Sequence, residues 1–139
     1  MVVKVTSAEQ ILATREVMRQ LRPNVPLDSY VATVRRMRQT DGYQLAALYD
    51  EETVRAVAGY RLMEMLHRGK IMYVDDLNTD EQYRSKGYGK VLMDWLKTEA
   101  KTQGCGQLHL DSGVQREHTH RFYFREGLTI NGYHFRVVL

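Results

Sequence analysis

Cysteine is almost missing from these 139 residues: Cys105 stands alone, so no internal disulfide can staple the chain. Proline occurs only at Pro23 and Pro26, and no Pro-, Gly- or Ser-rich stretch marks a linker. No apolar run reaches the ~18 residues that a membrane span needs. The opening Met1-Val2-Val3-Lys4-Val5 is strand-like and lacks the apolar stretch of a signal peptide. The expectation is one cytoplasmic domain over residues 1–139 that does not engage a membrane. A chain of this size buries roughly two thirds of its unfolded surface, so its core can stand unaided. Hydrophobic content of 43% with 27% charged residues excludes extended disorder, collagen-like sequence and low-complexity scaffolds. Excess charge is also lacking: 20 basic against 17 acidic residues leave +3, too little to mark a nucleic-acid binder.

Along the chain the balance is uneven. Residues 1–39 carry seven Lys/Arg and three acids, 40–82 carry four and nine, and 83–139 carry nine and five, for net charges of +4, −5 and +4. No long like-charge block occurs, so the pattern belongs to a folded surface. It is either the chance composition of solvated faces or a division in which one end holds an anion and the middle faces a cation.

The element pattern is α+β with mixed β-pairing. Val2 to Thr6 reads as a strand, and Ser7 with Glu9 and Gln10 starts a helix carrying Ile11, Leu12, Val17, Met18 and Leu21. After the proline break, a second helix begins near Leu27-Asp28-Ser29 and stops before Asp41-Gly42. Residues 43–49, 54–66 and 70–78 are β-rich runs joined by Asp50-Glu51-Glu52-Thr53 and Arg68-Gly69, a three-stranded antiparallel meander. A polar loop over 79–86 enters a helix with Val91, Leu92, Trp95, Leu96 and Ala100 at helical spacing, ended by Gly104-Cys105-Gly106. A strand at 107–110, a short helix over 116–125 and a hairpin through Asn131-Gly132 complete the chain; Asn-Gly between β-rich runs is a strong hairpin signal.

Chemistry concentrates at Arg84-Ser85-Lys86-Gly87-Tyr88-Gly89-Lys90, between a strand and an amphipathic helix, where bare amides and the positive helix end can hold an anion. A dinucleotide fingerprint would need glycine at 92, where Leu92 stands. A Walker loop would need glycine at 84 and Ser or Thr at 91, where Arg84 and Val91 stand. Alone, Gly87 and Gly89 would only shape a loop.

The combination of that strand, Arg84-x-x-Gly87-x-Gly89, the long helix, the strand at Leu108 and then Arg121-Phe122-Tyr123 resembles the GNAT superfamily of acetyl-CoA-dependent N-acetyltransferases. The likeness is strongest over 70–103, extends over 106–135 and rests on topology alone before 70. It implies a mostly antiparallel central sheet flanked by helices in three layers, with a splayed parallel pair formed by the strands at 70–78 and 107–110. It implies acetyl transfer to a primary amine of a small molecule or peptide by direct attack in a ternary complex. The amides of Ser85, Lys86, Gly87, Tyr88, Gly89 and Lys90, with Arg84, would cradle the pyrophosphate of acetyl-CoA. Main-chain groups of Leu77, Asn78 and Thr79 would pair with the pantetheine arm. Arg116 stands where the family often has asparagine on that arm, and an arginine could reach a phosphate instead. Many relatives dimerise, often through their C-terminal strands.

The reaction needs a deprotonated amine and a proton for the departing thiolate. A lysine-like amine has a pKa near ~10.4, so a carboxylate, or water held by one, must assist at neutral pH. By resemblance, Tyr123 is the candidate acid; the alternative is that Phe122, Tyr123 and Phe124 are a packed aromatic cluster. For the base, alternation sends Asp75 and Asp76 to opposite strand faces. Some members of the family carry a catalytic glutamate matching Tyr73, and polyamine acetyltransferases carry an acidic pair matching Asp75 and Asp76. Asp75 shares the face of Tyr73 and ranks first. Asp76 is expected to bind a substrate cation, Glu64 is a further substrate contact and the reserve base, and Tyr30 is placed at the substrate mouth.

Other residues weigh less. His118 and His120 diverge on a helix and read as surface histidines, so no metal is expected. Cys105 reads as a turn residue, and Met63 and Met65 fill core or line an apolar pocket. Arg35, Arg36 and Arg38 lack interleaved aromatics, against nucleic-acid binding. Competing functions are transfer of a longer acyl group and a non-catalytic CoA-binding sensor or protein-interaction module.

Overall fold

The computed structural model describes all residues, Met1–Leu139. They fall into two compact units, Met1–His109 and Leu110–Leu139.

In the first unit, β1 (Val2–Val5) leads to Ser7. The Ser7 hydroxyl accepts from the Gln10 amide while the Gln10 side chain accepts from the Ser7 amide. Two donors that every helix start leaves bare are thereby satisfied, and α1 (Ala8–Ala13) begins. The single helix expected here is interrupted. The Thr14 hydroxyl donates to the Ile11 carbonyl (2.7 Å) and the Thr14 amide turns to the same carbonyl (3.1 Å), which closes α1 before α2 (Arg15–Leu21) restarts. After the proline segment, α3 (Tyr30–Asp41) ends at Gly42, whose φ of +69° suits a residue without Cβ.

The meander follows as expected: β2 (Gln44–Asp50), β3 (Thr53–Met65) and β4 (Gly69–Thr79) pair antiparallel, and β1 adds antiparallel to β2. The loop after β4 contains a 3-10 turn at Glu81–Tyr83 before α4 (Tyr88–Thr102). Then β5 (Gln107–Leu110) joins beside β4, giving the order β1-β2-β3-β4-β5 with a parallel β4–β5 pair in an otherwise antiparallel sheet. The Gly106 amide donates to the Lys70 carbonyl (3.0 Å), so β5 starts beside the start of β4. Four residues long against eleven, it stops short of Leu77–Thr79.

Side chains alternate across the sheet and bury both faces. Tyr43, Leu45, Ala47 and Val57 pack with Ile11, Val17, Met18, Tyr30 and Val34 of α1–α3. On the other face α4 lies on β3 and β4, with Leu92, Met93, Leu96 and Ala100 buried and Trp95 edge-on to Tyr60 at 6.1 Å between centroids. Val91, expected in this stripe, is half exposed. No helix is long and apolar enough to cross a membrane.

In the second unit α5 (Glu117–Arg125) forms as expected and is followed by Gly127 at φ +86°. The expected C-terminal hairpin does not: residues 128–139 adopt no strand. A two-residue type I′ turn needs positive φ at both central residues, and neither Asn131 nor Gly132 has it. An isolated two-stranded ribbon is also marginal, and this unit has no strand beyond the end of β5 to support one.

One charge is buried deliberately between layers. Glu99 of α4 pairs with Lys4 of β1 and accepts from Gln103 Nε2 (2.9 Å). Burial alone would raise its pKa, but Lys4 and Gln103 outweigh burial and hold it below the ordinary 4.5. A carboxyl depressed by folding contributes stability above that value and loses it as the pH falls. Glu99→Gln is expected to be less stable than the parent at pH 7 by about 1 kcal/mol. In urea titrations the difference should shrink as the pH drops below 4.5.

Candidate active site

The β3–β4 ladder slips by one residue at its centre: Gly59 faces Asp76 and Tyr60 faces Val74, leaving Asp75 as the extra residue of a bulge. The alternation expected to part Asp75 from Asp76 fails at this point. Both carboxylates come to the groups around Tyr43, on the face covered by α1–α3. Asp76 accepts from the Tyr43 hydroxyl (2.7 Å) and from Arg22 Nε (2.8 Å). Asp75 accepts from Arg61 Nε (2.9 and 3.2 Å) and pairs with Arg61 Nη2 (2.9 Å), and that guanidinium lies 5.7 Å from the Tyr43 ring centre.

Gly59 makes this arrangement feasible. A Cβ at that position would lie 1.8 Å from the Tyr43 hydroxyl oxygen, so the phenol reaches Asp76 only because position 59 has no side chain. Tyr43 is 2% exposed, and burial first, then Asp76, hold its pKa well above 10, which keeps it a donor. Burial also raises Asp75 above its ordinary 3.8, against the opposing pull of Arg61. Arg22, directly after α2, spans both acidic positions by donating a second bond from Nη2 to the Asp75 carbonyl (2.9 Å).

Two expected substrate contacts lie elsewhere. Tyr30 does not reach a mouth: it is 4% exposed within the core, and its hydroxyl meets Thr14 Oγ1 at 2.7 Å. A residue one position past a helix cap, with apolar neighbours at helical spacing, is drawn into the core. Glu64 sits opposite Lys70 beside the β3–β4 turn, exposed and five residues along β3 from Gly59.

The other end of β4 leads to the anion cradle. Leu77, Asn78 and Thr79 are its last residues; Asn78 is buried, and its Nδ2 donates to the Val17 carbonyl of α2 (2.9 Å). Asp80 caps the 3-10 turn through the Gln82 amide (3.2 Å). Ser85 at φ +66° and Gly87 at φ +84° then reverse the backbone into α4. Gly87 is the N-cap, so no side chain occupies the first amides of α4, and no acidic residue lies in its first turn. Those donors and the positive helix end stay available to an anion. Arg84, Ser85 and Lys86 are exposed. Lys90 donates to Asp94 (2.8 Å). The Tyr88 hydroxyl donates to Asp50 (2.6 Å), fastening the start of α4 to the β2–β3 turn. A bound diphosphate fits this donor set, which is cationic and lacks a competing cap.

In the second unit, Tyr123 is half-buried on α5 with its ring tilted against Phe122, 5.6 Å between centroids, and Arg116 is the N-cap of the same helix. His120 Nε2 lies 2.8 Å from the Gly113 carbonyl. Sequence reading missed Tyr43, Gly59, Arg22 and Arg61. A signal existed for one of them, since a lone glycine inside a β-rich run marks a bulge or a close backbone approach.

The first unit is thus a mixed sheet between helical layers, with a glycine-capped helix start following β4. The model of the acetyltransferase (GNAT) family matches residues 11–127, and the chain belongs to that family. It is 36% identical over 134 residues to an uncharacterized N-acetyltransferase of Bacillus subtilis (strain 168), YhdJ, covering 96% of this chain and 94% of that one. It is 28% identical over 97 residues to the aminoalkylphosphonate N-acetyltransferase of Salmonella typhimurium (strain LT2), covering 70% of this chain and 62% of the other. Among solved structures, a Trypanosoma brucei acetyltransferase superposes with a TM-score of 0.81 at 22% identity, covering 100% of this chain and 99% of that one. The aminoglycoside N-acetyltransferase AAC(6′)-Iy, solved in complex with CoA, superposes with a TM-score of 0.87 at 12% identity, covering 100% and 93%. These likenesses show the fold. The chain is an acyltransferase of a family that transfers acetyl groups from acetyl-CoA to amines.

The space above Gly59 provides a direct test of the bulge. Gly59→Ala forces Tyr43 aside and is expected to cost about 1–3 kcal/mol in chemical denaturation, whereas Tyr43→Phe, which loses only the bond to Asp76, should cost about 1 kcal/mol.

Proposed function

We propose that this protein, acting as a single N-acetyltransferase domain over 1–139, transfers the acetyl group of acetyl-CoA to a primary amine by direct attack in a ternary complex. The observation that carries this reading is the start of α4. A helix normally protects its first amides with a Ser, Thr, Asp or Asn side chain. This one opens on Gly87 after a left-handed Ser85, beside Arg84 and Lys86. That arrangement disfavours the helix alone and favours a bound polyanion. Arg84 and the amides of Ser85 through Lys90 hold the diphosphate, and Arg116 is assigned to a phosphate. Main-chain groups of Leu77, Asn78 and Thr79 receive the pantetheine arm, a role supported by the early end of β5.

Acetyl-CoA supplies an activated thioester, and the chain supplies proton handling and orientation. Tyr123 is assigned as the acid that protonates the leaving sulfur; a phenol is neutral at pH 7 and can donate. Asp75 is assigned as the base. Because Arg61 occupies its oxygens, it acts through a water that it orients rather than by taking the proton directly. Asp76, held by Tyr43 and Arg22, is assigned to orient the amine. The match to an aminoalkylphosphonate N-acetyltransferase favours a small-molecule acceptor over a peptide.

An amine panel assayed for free thiol release tests this reading. Tyr123→Phe is expected to lower kcat at least tenfold, a change of about 1.4 kcal/mol, with KM for acetyl-CoA unchanged. Turnover unaffected across neutral pH would remove Tyr123 from the mechanism. Asp75→Asn should be most defective near pH 6–7 and approach the parent toward pH 9, where free amine forms without help. Gly89→Trp is expected to abolish the thermal shift produced by acetyl-CoA.

A further inference from the structure

Tyr83 ends the 3-10 turn, one residue before the segment assigned to the cradle. Arg55, from the start of β3, places its guanidinium carbon 3.6 Å from the centre of the Tyr83 ring, and Lys86 Nζ lies 5.0 Å from the same centre. A cation over an aromatic face is attracted by the ring quadrupole, the more so when water is excluded. Arg55 is largely buried, and its Nε is enclosed without a hydrogen-bond partner. The tyrosine ring and Asp80, at 3.9 Å, are therefore what hold the guanidinium in place.

The same turn is tied down from two other elements. The Asp80 amide donates to the Arg55 carbonyl (2.8 Å). Gln20 of α2 donates from Nε2 to Asp80 (3.3 Å) and accepts from the Glu81 amide (2.9 Å). The approach to the cradle is thus rigid, and two cations are held against one ring, less than about 9 Å apart and close to a Debye length. Two like charges held this close repel each other, and an anion seated in the adjoining loop relieves that repulsion.

We propose that Arg55 and Tyr83 are positioning residues for the diphosphate end of the CoA substrate, Tyr83 carrying Lys86 and the entrance of the loop, and Arg55 fixing the ring from the start of β3. This rests on the cradle reading given above. Neither residue touches the reacting atoms, so their effect falls on donor affinity and not on the chemical step.

Calorimetric titration separates these possibilities, using CoA and 3′-phosphoadenosine 5′-diphosphate, a fragment that keeps the diphosphate and lacks the arm. In Arg55→Met and in Tyr83→Leu, Kd is expected to rise about tenfold for both ligands. At saturating acetyl-CoA, kcat and the KM for the amine should stay within about twofold of the parent, because the chemical step is untouched. Tyr83→Phe, which keeps the ring, should recover the affinity lost in Tyr83→Leu. Melting without ligand is recorded for each variant, and if Tyr83→Leu fails to fold, Arg55→Met decides the matter together with Arg55→Lys. Unchanged Kd values overturn the proposal, as does a loss confined to CoA or a matching fall in kcat at saturation. Gly89→Trp distinguishes the two levels of the reading. If it binds CoA like the parent, the cradle itself is misplaced; if it abolishes binding while the Arg55 and Tyr83 variants bind normally, only the positioning role is wrong.

Discussion

The one-residue slip between Gly59 and Tyr60 is the constraint on which the centre of this protein depends. In an unbroken ladder, Asp76 beside Tyr43 would leave Asp75 facing the dry layer beneath Tyr60, Trp95 and α4. An unpaired carboxylate there would carry a desolvation cost of several kcal/mol. The bulge brings Asp75 to Arg61 instead. It works only with glycine at 59, because the Tyr43 phenol needs that volume to reach Asp76. Tyr43 follows the cap of α3, Arg22 follows the end of α2, and both converge on Asp76. One missing methyl group therefore sets the mutual position of two helices and two strands.

From this point β4 acts as a strut along α2. Arg22 binds it at Asp75 and Asp76, the Val17 carbonyl receives Asn78, and Gln20 grips Asp80 and Glu81 just beyond its end. These ties are spaced along one helix, so the bulge and the start of the cradle cannot shift independently of α2. Among these bonds the one from Asn78 to the Val17 carbonyl is buried, and a buried bond is costly to leave unmade. Tyr88 on Asp50 adds a second brace from the β2–β3 turn. The two functions assigned to β4, orienting an amine at its middle and a thioester arm at its end, thereby share one rigid frame.

Much of this was legible in the residues because local chemistry and tertiary context agree. The Ser7–Gln10 cap, the meander, the Gly42 terminus, α4 and β5 all follow from patterns that act over a few residues. The failures share a different cause. Thr14 breaks a helix because its hydroxyl finds both Ile11 and Tyr30, and the second partner lies sixteen residues away. Asp75 and Asp76 were assigned opposite faces by an alternation that holds only for an unbulged strand. Tyr30 was assigned to a mouth although its partner, Thr14, is sunk in the core. Asn131-Gly132 carries a hairpin signal, but the turn that signal describes needs backbone angles that neither residue adopts. The segment 84–90 is contiguous and so carries a local signature; Arg55, Tyr43 and Arg22 come from other elements and have none.

The charge division along the chain also takes on a different meaning in three dimensions. The −5 of residues 40–82 suggested a surface that attracts a cation. Asp75 is instead paired with Arg61, Asp76 with Arg22, and Asp80 lies beside Arg55. Arg55 and Arg61 already count within that −5, so folding adds only Arg22 from outside the segment while placing an arginine beside each of Asp75, Asp76 and Asp80. Of the groups that pair directly with Asp75 and Asp76, the most accessible is Arg22, 48% exposed against 13% for Asp76, while Asp41, 3.9 Å from Arg61, is 56% exposed. Arg22 and Tyr43 both donate to Asp76, so any ligand of that carboxylate competes with them. The basic segment 83–139 is less neutralised at its start, since Arg84 and Lys86 remain exposed beside uncapped amides. Exposed positive charge and bare helix amides thus coincide at the start of α4.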